Sequence, residues 1–196
     1  MSKEPLEDCL KTFLEDVEVR RSTGELFEEA CFSLFVQTAN ELGNVGNLEY
    51  QPARSETEDY SVDGWELDGN YLYLAVSAFE EDQNLQWLSK DQYKKLISGL
   101  ELFVKRATEK DFLQSLEETS ASFRIAREIS DNYKDIIRIN LVLLTNKARE
   151  SEIEETLEIS LHGKPCNVNI FDLDEYCKGR NAVDETGNIE VDIKKI

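Results

Sequence analysis

Four carboxylates stand close together in Asp59–Phe79, DYSVDGWELDGNYLYLAVSAF: Asp59, Asp63, Glu66 and Asp68. Oxygen ligands on adjacent elements are what a Mg²⁺-dependent phosphodiesterase uses to hold its metal. Such an enzyme also needs a group, often a lysine, that positions or activates the attacking water. Asp63 could supply one oxygen. The segment Tyr71–Phe79 should then carry an acid or amide and, two residues later, a lysine. It carries neither, reading Leu74-Ala75-Val76-Ser77-Ala78-Phe79. Taken as residues alone, the acids form a solvated edge and turn, and the second segment is core.

The other reactive side chains are sparse. His162 is the single histidine and sits in His162-Gly163-Lys164-Pro165, most simply a loop. Cys9, Cys31, Cys166 and Cys177 form no CxxC pair, which argues against a zinc site. Buried thiols are expected, with redox pairing of Cys166 and Cys177 as the minor reading. Trp65, beside Asp63-Gly64, either caps a cleft or packs on the sheet edge. Lys94, Lys95, Lys105 and Arg106, with Arg124 and Arg127, form the one basic cluster of note. It offers a nucleic-acid contact face, or a solvated face balanced by Glu101 and Glu109. No Gly-rich phosphate loop and no Ser-His-Asp pattern is visible.

These residues need elements to position them. The 196 residues suit one domain, and a hydrophobic fraction of 40% is enough for a core. Lys and Arg number 22 against 41 Asp and Glu, a net charge of −19, which repels phosphate backbones and suits a basic or divalent-cation partner. The start, MSKEPLEDCLKTFLED, has no apolar core of a signal peptide, and no apolar run approaches the roughly 20 residues of a membrane span. A cytoplasmic protein with reduced thiols, away from membranes, is expected.

Leu6, Leu10, Phe13, Leu14 and Val17 make a helical stripe over residues 5–20, and a second helix is predicted over 25–42, ended by Gly43. Leu48–Ala53 reads as a short strand ended by Pro52, and Arg54–Asp59 as loop. A hairpin comes next, turning at Asp68-Gly69 and irregular near Asp63-Gly64; its second strand is apolar on both faces, as a covered central strand is. Ser89-Lys90-Asp91-Gln92 has the form of a capping box. The helix it opens is followed by helical stretches over 111–118 and 120–131. Ile136–Thr145 is the strongest strand, Ile153–Leu161 is ambiguous between helix and strand, and Cys166–Phe171 is a strand. Leu173–Cys177 reads as little more than one helical turn, and Ile189–Ile193 as strand-like. The order implies an α/β fold, a mixed β-sheet flanked by helices, with a helical N-terminal part of about 1–45 and a sheet core of about 46–196.

Four segments in this order resemble the N-terminal region of abortive-infection phage-resistance (AIPR) proteins: VDGWELDGNYLYLAVSAF, the helical block through SFRIAREI, IIRINLVLLTN and CNVNIFDLDEY. The resemblance runs from about Glu25 to about Ile193. It implies bacterial antiphage defence, a restriction-endonuclease-like core, and a longer protein of which this chain is the N-terminal domain. Nuclease-like members carry an acid and glycine, then Gln-x-Lys or Glu-x-Lys on the next strand. Carried over, the acid falls on Asp63 and the glycine on Gly64, but the later positions fall on Val76 and Ala78. Glu28 matches a helix acid that some members place near the metal. The resemblance therefore makes Asp63 a vestigial catalytic candidate, with Asp63 and Glu28 as the metal candidates. No cofactor is expected, or Mg²⁺ if a nuclease site survives. The expected role is regulation or protein interaction, with a protein partner or the protein's own C-terminal region. Homo-oligomerisation, or nucleic-acid contact through the rest of the protein, is compatible with it. The alternatives are an active nuclease with a non-standard site and a plain oligomerisation module.

Overall fold

The structure, a computed structural model, describes residues 3–43, 45–55 and 59–187. Two helices open it, α1 (Lys3–Arg21) and α2 (Phe27–Glu41), and Gly43 takes the left-handed φ of 72° that ends α2. Three strands come after them: β1 (Glu49–Ser55), β2 (Tyr60–Asp68) and β3 (Tyr71–Ser77). Next come the short β4 (Trp87–Leu88), then α3 (Lys90–Ala107), α4 (Lys110–Ser115) and α5 (Ala121–Asn132). The chain continues through β5 (Arg138–Leu144), β6 (Ala148–Arg149), β7 (Thr156–Leu161), β8 (Lys164–Phe171) and α6 (Leu173–Gly187).

Six strands make one mixed sheet in the order β1-β2-β3-β5-β8-β7. The β3, β5 and β8 trio is parallel, and the outer pairings are antiparallel. The alternation of side chains along β3 and β5 splits the core into two layers. Leu72, Leu74 and Val76, with Ile139, Leu141 and Leu143, meet Leu100, Phe103, Val104, Ile125 and Ile129 of α3 and α5. Ala75, Val142 and Leu144 face the other way, onto Phe13, Phe32, Phe35 and Tyr176 of α1, α2 and α6. The predicted α/β class and sheet flanked by helices are therefore observed.

The capping box of α3 is complete, with Ser89 accepting from the Gln92 N–H and Gln92 from the Ser89 N–H. Three expectations need correction, and one left open is decided. Pro52 does not end β1, which runs on to Ser55. Among the described strands β1 lies at the sheet edge, and its register slips between Tyr50 and Ala53, so Pro52 needs no ladder N–H. The ambiguous segment is the strand β7: His162 (φ 48°) and Gly163 (φ 79°) both adopt left-handed conformations and fold it onto β8 as a hairpin. The turn after Phe171 opens a helix that runs to Gly187. Cys177 is paired, with Cys9 and not Cys166, because α1 and α6 lie side by side with those Cα atoms 6.1 Å apart. The strand-like segment 189–193 lies outside the described residues.

Candidate functional site

Asp63 sits where β2 parts from β3. The β2–β3 ladder runs from Asp68↔Tyr71 to Gly64↔Ala75, while on the β1 side Gln51 and Pro52 lie between the pairs Tyr50↔Gly64 and Ala53↔Val62. Two residues of β1 thus oppose Asp63 alone, a bulge at the irregular position expected from the sequence. Beyond Gly64, β3 continues on β5 through Ser77↔Leu144. The carboxylate of Asp63 fills the gap: its Oδ2 accepts from the Ser77 peptide N–H at 2.7 Å and the Ser77 hydroxyl at 2.8 Å. Oδ1 accepts from Arg54 Nε at 3.2 Å and Nη2 at 2.8 Å. Asp63 is 0% exposed, and all four of these donors converge on its two oxygens.

The guanidinium of Arg54 therefore supplies the positive charge that balances the buried Asp63 carboxylate. Its attachment to Asp63 raises its pKa above the ordinary value, against the opposing effect of burial. Tyr50 lies next to the pair; burial, then the Asp63 charge, push its hydroxyl up, and Arg54 pulls it down. Phe32 of α2 closes the site from above, packing on Tyr50 at 5.2 Å, and a Cβ on Gly64 would come within 2.2 Å of the Phe32 ring. Glycine is required there by this close approach of α2 to the sheet.

Glu28 lies one turn before Phe32, exposed, and acts on Tyr50 and Arg54 through its charge. Among the described residues, no three His, Cys, Asp or Glu side chains are grouped so as to hold a metal ion. Val76, 1% exposed, and Ala78 face the α3 layer, whereas Asp63 binds Ser77 on the alternate face. The residues that share the Asp63 side of β3 are Ala75 and Ser77, so a one-residue shift of the strand alignment brings no acid, amide or lysine either. Arg54 and Ser77 are the partners that sequence reasoning missed. Their only signal was an arginine in an apparent loop and a serine in an apolar strand.

A second buried carboxylate, Asp172, is also paired with an arginine. At the C-terminal ends of the parallel strands, Asp172 (2% exposed) caps α6 by accepting from the Glu175 N–H and pairs with Arg149 Nε at 3.3 Å. Burial raises its pKa, and the Glu175 N–H and Arg149 oppose the rise. Arg149 also binds Glu155 at 3.1 Å. These residues line a cleft of about 460 Å³ with Trp87, which is 53% exposed at its mouth. Beside it, Thr145 donates to the Ala78 carbonyl at 2.7 Å and accepts from the Lys147 N–H, and Asn146 exchanges two hydrogen bonds with the Glu80 backbone. The Thr145-Asn146-Lys147 run seals the strand ends together.

His162 is exposed at the β7–β8 turn and its carbonyl accepts from the Tyr133 hydroxyl. Trp65 packs against the α3-side layer and donates to Gln51 at 2.8 Å. In the basic cluster, Arg106 pairs with Glu109 and Arg127 with Asp131.

Residues 27–176, from the start of α2 to the first turn of α6, match the family described as abortive infection phage resistance protein N-terminal domain. The chain belongs to this family. No curated protein and no solved structure shows significant similarity to it. In this AIPR N-terminal domain the matched region holds the whole sheet together with Glu28, Arg54, Asp63 and Ser77, and it leaves out α1. Membership ties the chain to abortive-infection phage resistance. Among the described residues no helix is long and apolar enough to cross a membrane.

Proposed function

We propose that this AIPR N-terminal domain serves phage resistance as a non-catalytic regulatory or protein-interaction domain, built on a nuclease-like core whose metal position has been taken by an arginine. The observation that carries this reading is the saturation of Asp63 by Arg54 and Ser77. A carboxylate whose oxygens already accept four donors has little left for a metal, and an adjacent guanidinium repels a divalent cation. The side chains of Val76 and Ala78, at the positions the resemblance assigns to Gln or Glu and Lys, pack in the α3-side core layer.

The working compartment in this reading is the bacterial cytoplasm. The partner is a protein, either a separate chain or a C-terminal region of the same one. The net charge of −19 favours a partner surface rich in Lys and Arg over direct contact with a phosphate backbone. The test combines Mg²⁺ and Mn²⁺ titrations, followed by thermal shift, with cleavage assays on DNA and RNA. Neither metal is expected to raise the melting temperature, and no cleavage is expected. Metal-dependent cleavage that disappears in Asp63→Ala would overturn the proposal and establish the active-nuclease alternative.

A further inference from the structure

Four observations single out Cys9 and Cys177. They join α1 to α6 in a disulfide that spans 168 residues of sequence. Both fall outside the family-matched region, Cys177 by one residue. Cys9 is half-buried and the more open of the two, while Cys177 is 2% exposed. Finally, α1 is a cover: it packs on α2 and α6 through Leu6, Leu10, Phe13 and Val17, all 6% exposed or less.

Beneath α1 lies an aromatic cluster. Phe13 meets Phe35 and Tyr176 edge-on, each at 5.2 Å, and Phe35 stacks on Tyr176 at 4.7 Å. Apart from the disulfide, α1 is tied to α6 by the Asp16–Arg180 ion pair and to the segment after β3 by Arg21–Glu81 at 3.5 Å. The turn to α2 contains Gly24 at φ 107°, a conformation open to glycine, which gives α1 a pivot.

We propose that Cys9–Cys177 is a thiol–disulfide latch: oxidised, it locks α1 over the Phe35–Tyr176 face; reduced, it leaves α1 free to open by local unfolding about the Gly24 turn. The inference rests on the reading that the protein works in a reducing cytoplasm, where the pair can cycle. The oxidant is a peroxide. The Cys9 thiolate attacks one peroxide oxygen and releases water, or an alcohol from an organic peroxide, leaving a sulfenic acid. The Cys177 sulfur then attacks the Cys9 sulfur, forming the S–S bond as the sulfenic oxygen leaves as water. Two thiols are oxidised by two electrons as the peroxide is reduced. Glutathione reverses the bond by thiol exchange, ending as glutathione disulfide. The other two thiols do not compete, since Cys31 and Cys166 are buried and burial raises both their pKa values, that of Cys166 to about 12.

The experiment uses the full chain, treated with hydrogen peroxide or with reduced glutathione under native conditions. Mass spectrometry maps the Cys9–Cys177 linkage, and limited trypsin digestion reads cutting at Lys11, Arg20 and Arg21. The expected result is a linkage that forms with peroxide and is lost in glutathione, with α1 cut about tenfold faster in the reduced form. Cys9→Ser should be cut at the reduced rate in both conditions; Cys177→Ser is the second variant should that one misfold. Three results overturn the proposal: no linkage with peroxide, a linkage that survives excess glutathione and is therefore a permanent staple, or a linkage that cycles while α1 is cut at one rate throughout.

Discussion

Replacing Asp63 by alanine separates a structural ion pair from a metal ligand. In the structure the substitution strands the Ser77 peptide N–H and hydroxyl at the point where β2 leaves β3, and no β2 carbonyl is paired there to take over. An orphaned buried donor costs about 1–3 kcal/mol. The Arg54 side chain is 53% exposed and reaches water once released, so its lost bond is discounted to about 1 kcal/mol. The sum is a destabilisation of about 2–4 kcal/mol, read by differential scanning fluorimetry as roughly 5–15 °C in a chain of this size. Asp63→Asn is a finer probe. Whichever way the amide faces, its NH2 meets a donor, Arg54 or Ser77, so about half of the loss is expected. An unmatched metal-site carboxylate would behave in the opposite way, because removing it relieves repulsion. A melting temperature for Asp63→Ala within about 2 °C of the parent, or above it, would refute the argument.

Other sites carry expectations of their own. Thr145→Val preserves shape but leaves the Ala78 carbonyl and Lys147 N–H without their partner; a loss of about 2–4 kcal/mol in urea unfolding is expected. Gly64→Ala places a methyl group 2.2 Å from the Phe32 ring and 3.0 Å from the Glu49 carbonyl, and should destabilise by about 1–3 kcal/mol on the same measurement. Glu66 titrates above its ordinary value of 4.5, raised first by burial and then by the Asp68 charge, with an opposing hydrogen bond from the Asn47 backbone and a further upward push from Glu49. The folded state thus holds this proton more tightly than the unfolded chain, so the ionised form weakens folding at neutral pH and the penalty vanishes as pH falls below 4.5. Glu66→Gln should then stabilise by less than about 1 kcal/mol at pH 7, a gain that fades in melting curves taken toward pH 4.

Much of the frame was legible along the chain because its determinants are local. An apolar run on both faces marks β3, a β-branched, nearly continuous apolar run marks β5, and alternation marks β8; the Ser89–Gln92 box and the Leu96, Leu100, Phe103 and Val104 spacing mark α3; Asp68-Gly69 marks the hairpin turn. Where local signals conflicted, long-range partners decided. Leu157 and Leu161 fit a helical spacing, but hydrogen bonds from β8 make the segment a strand. Pro52 is tolerated within β1 because, among the described strands, β1 has a neighbour on one side only.

The candidate site divides in the same way. Residue type and order are enough to establish that Asp63 is followed by a strand without an acid or lysine at the required spacing, and that the family is one of phage resistance. Which groups reach Asp63 is decided by the packed fold alone. Arg54 is nine residues away across a bulge, Ser77 is fourteen away across a hairpin, and α2 presses Phe32 onto Gly64 from elsewhere in the chain. The Cys9–Cys177 pairing likewise depends on two helices from opposite ends of the chain packing together. A carboxylate's role is fixed by which donors reach it and whether water does, and those are properties of packing between distant segments, to which residue spacing gives no access.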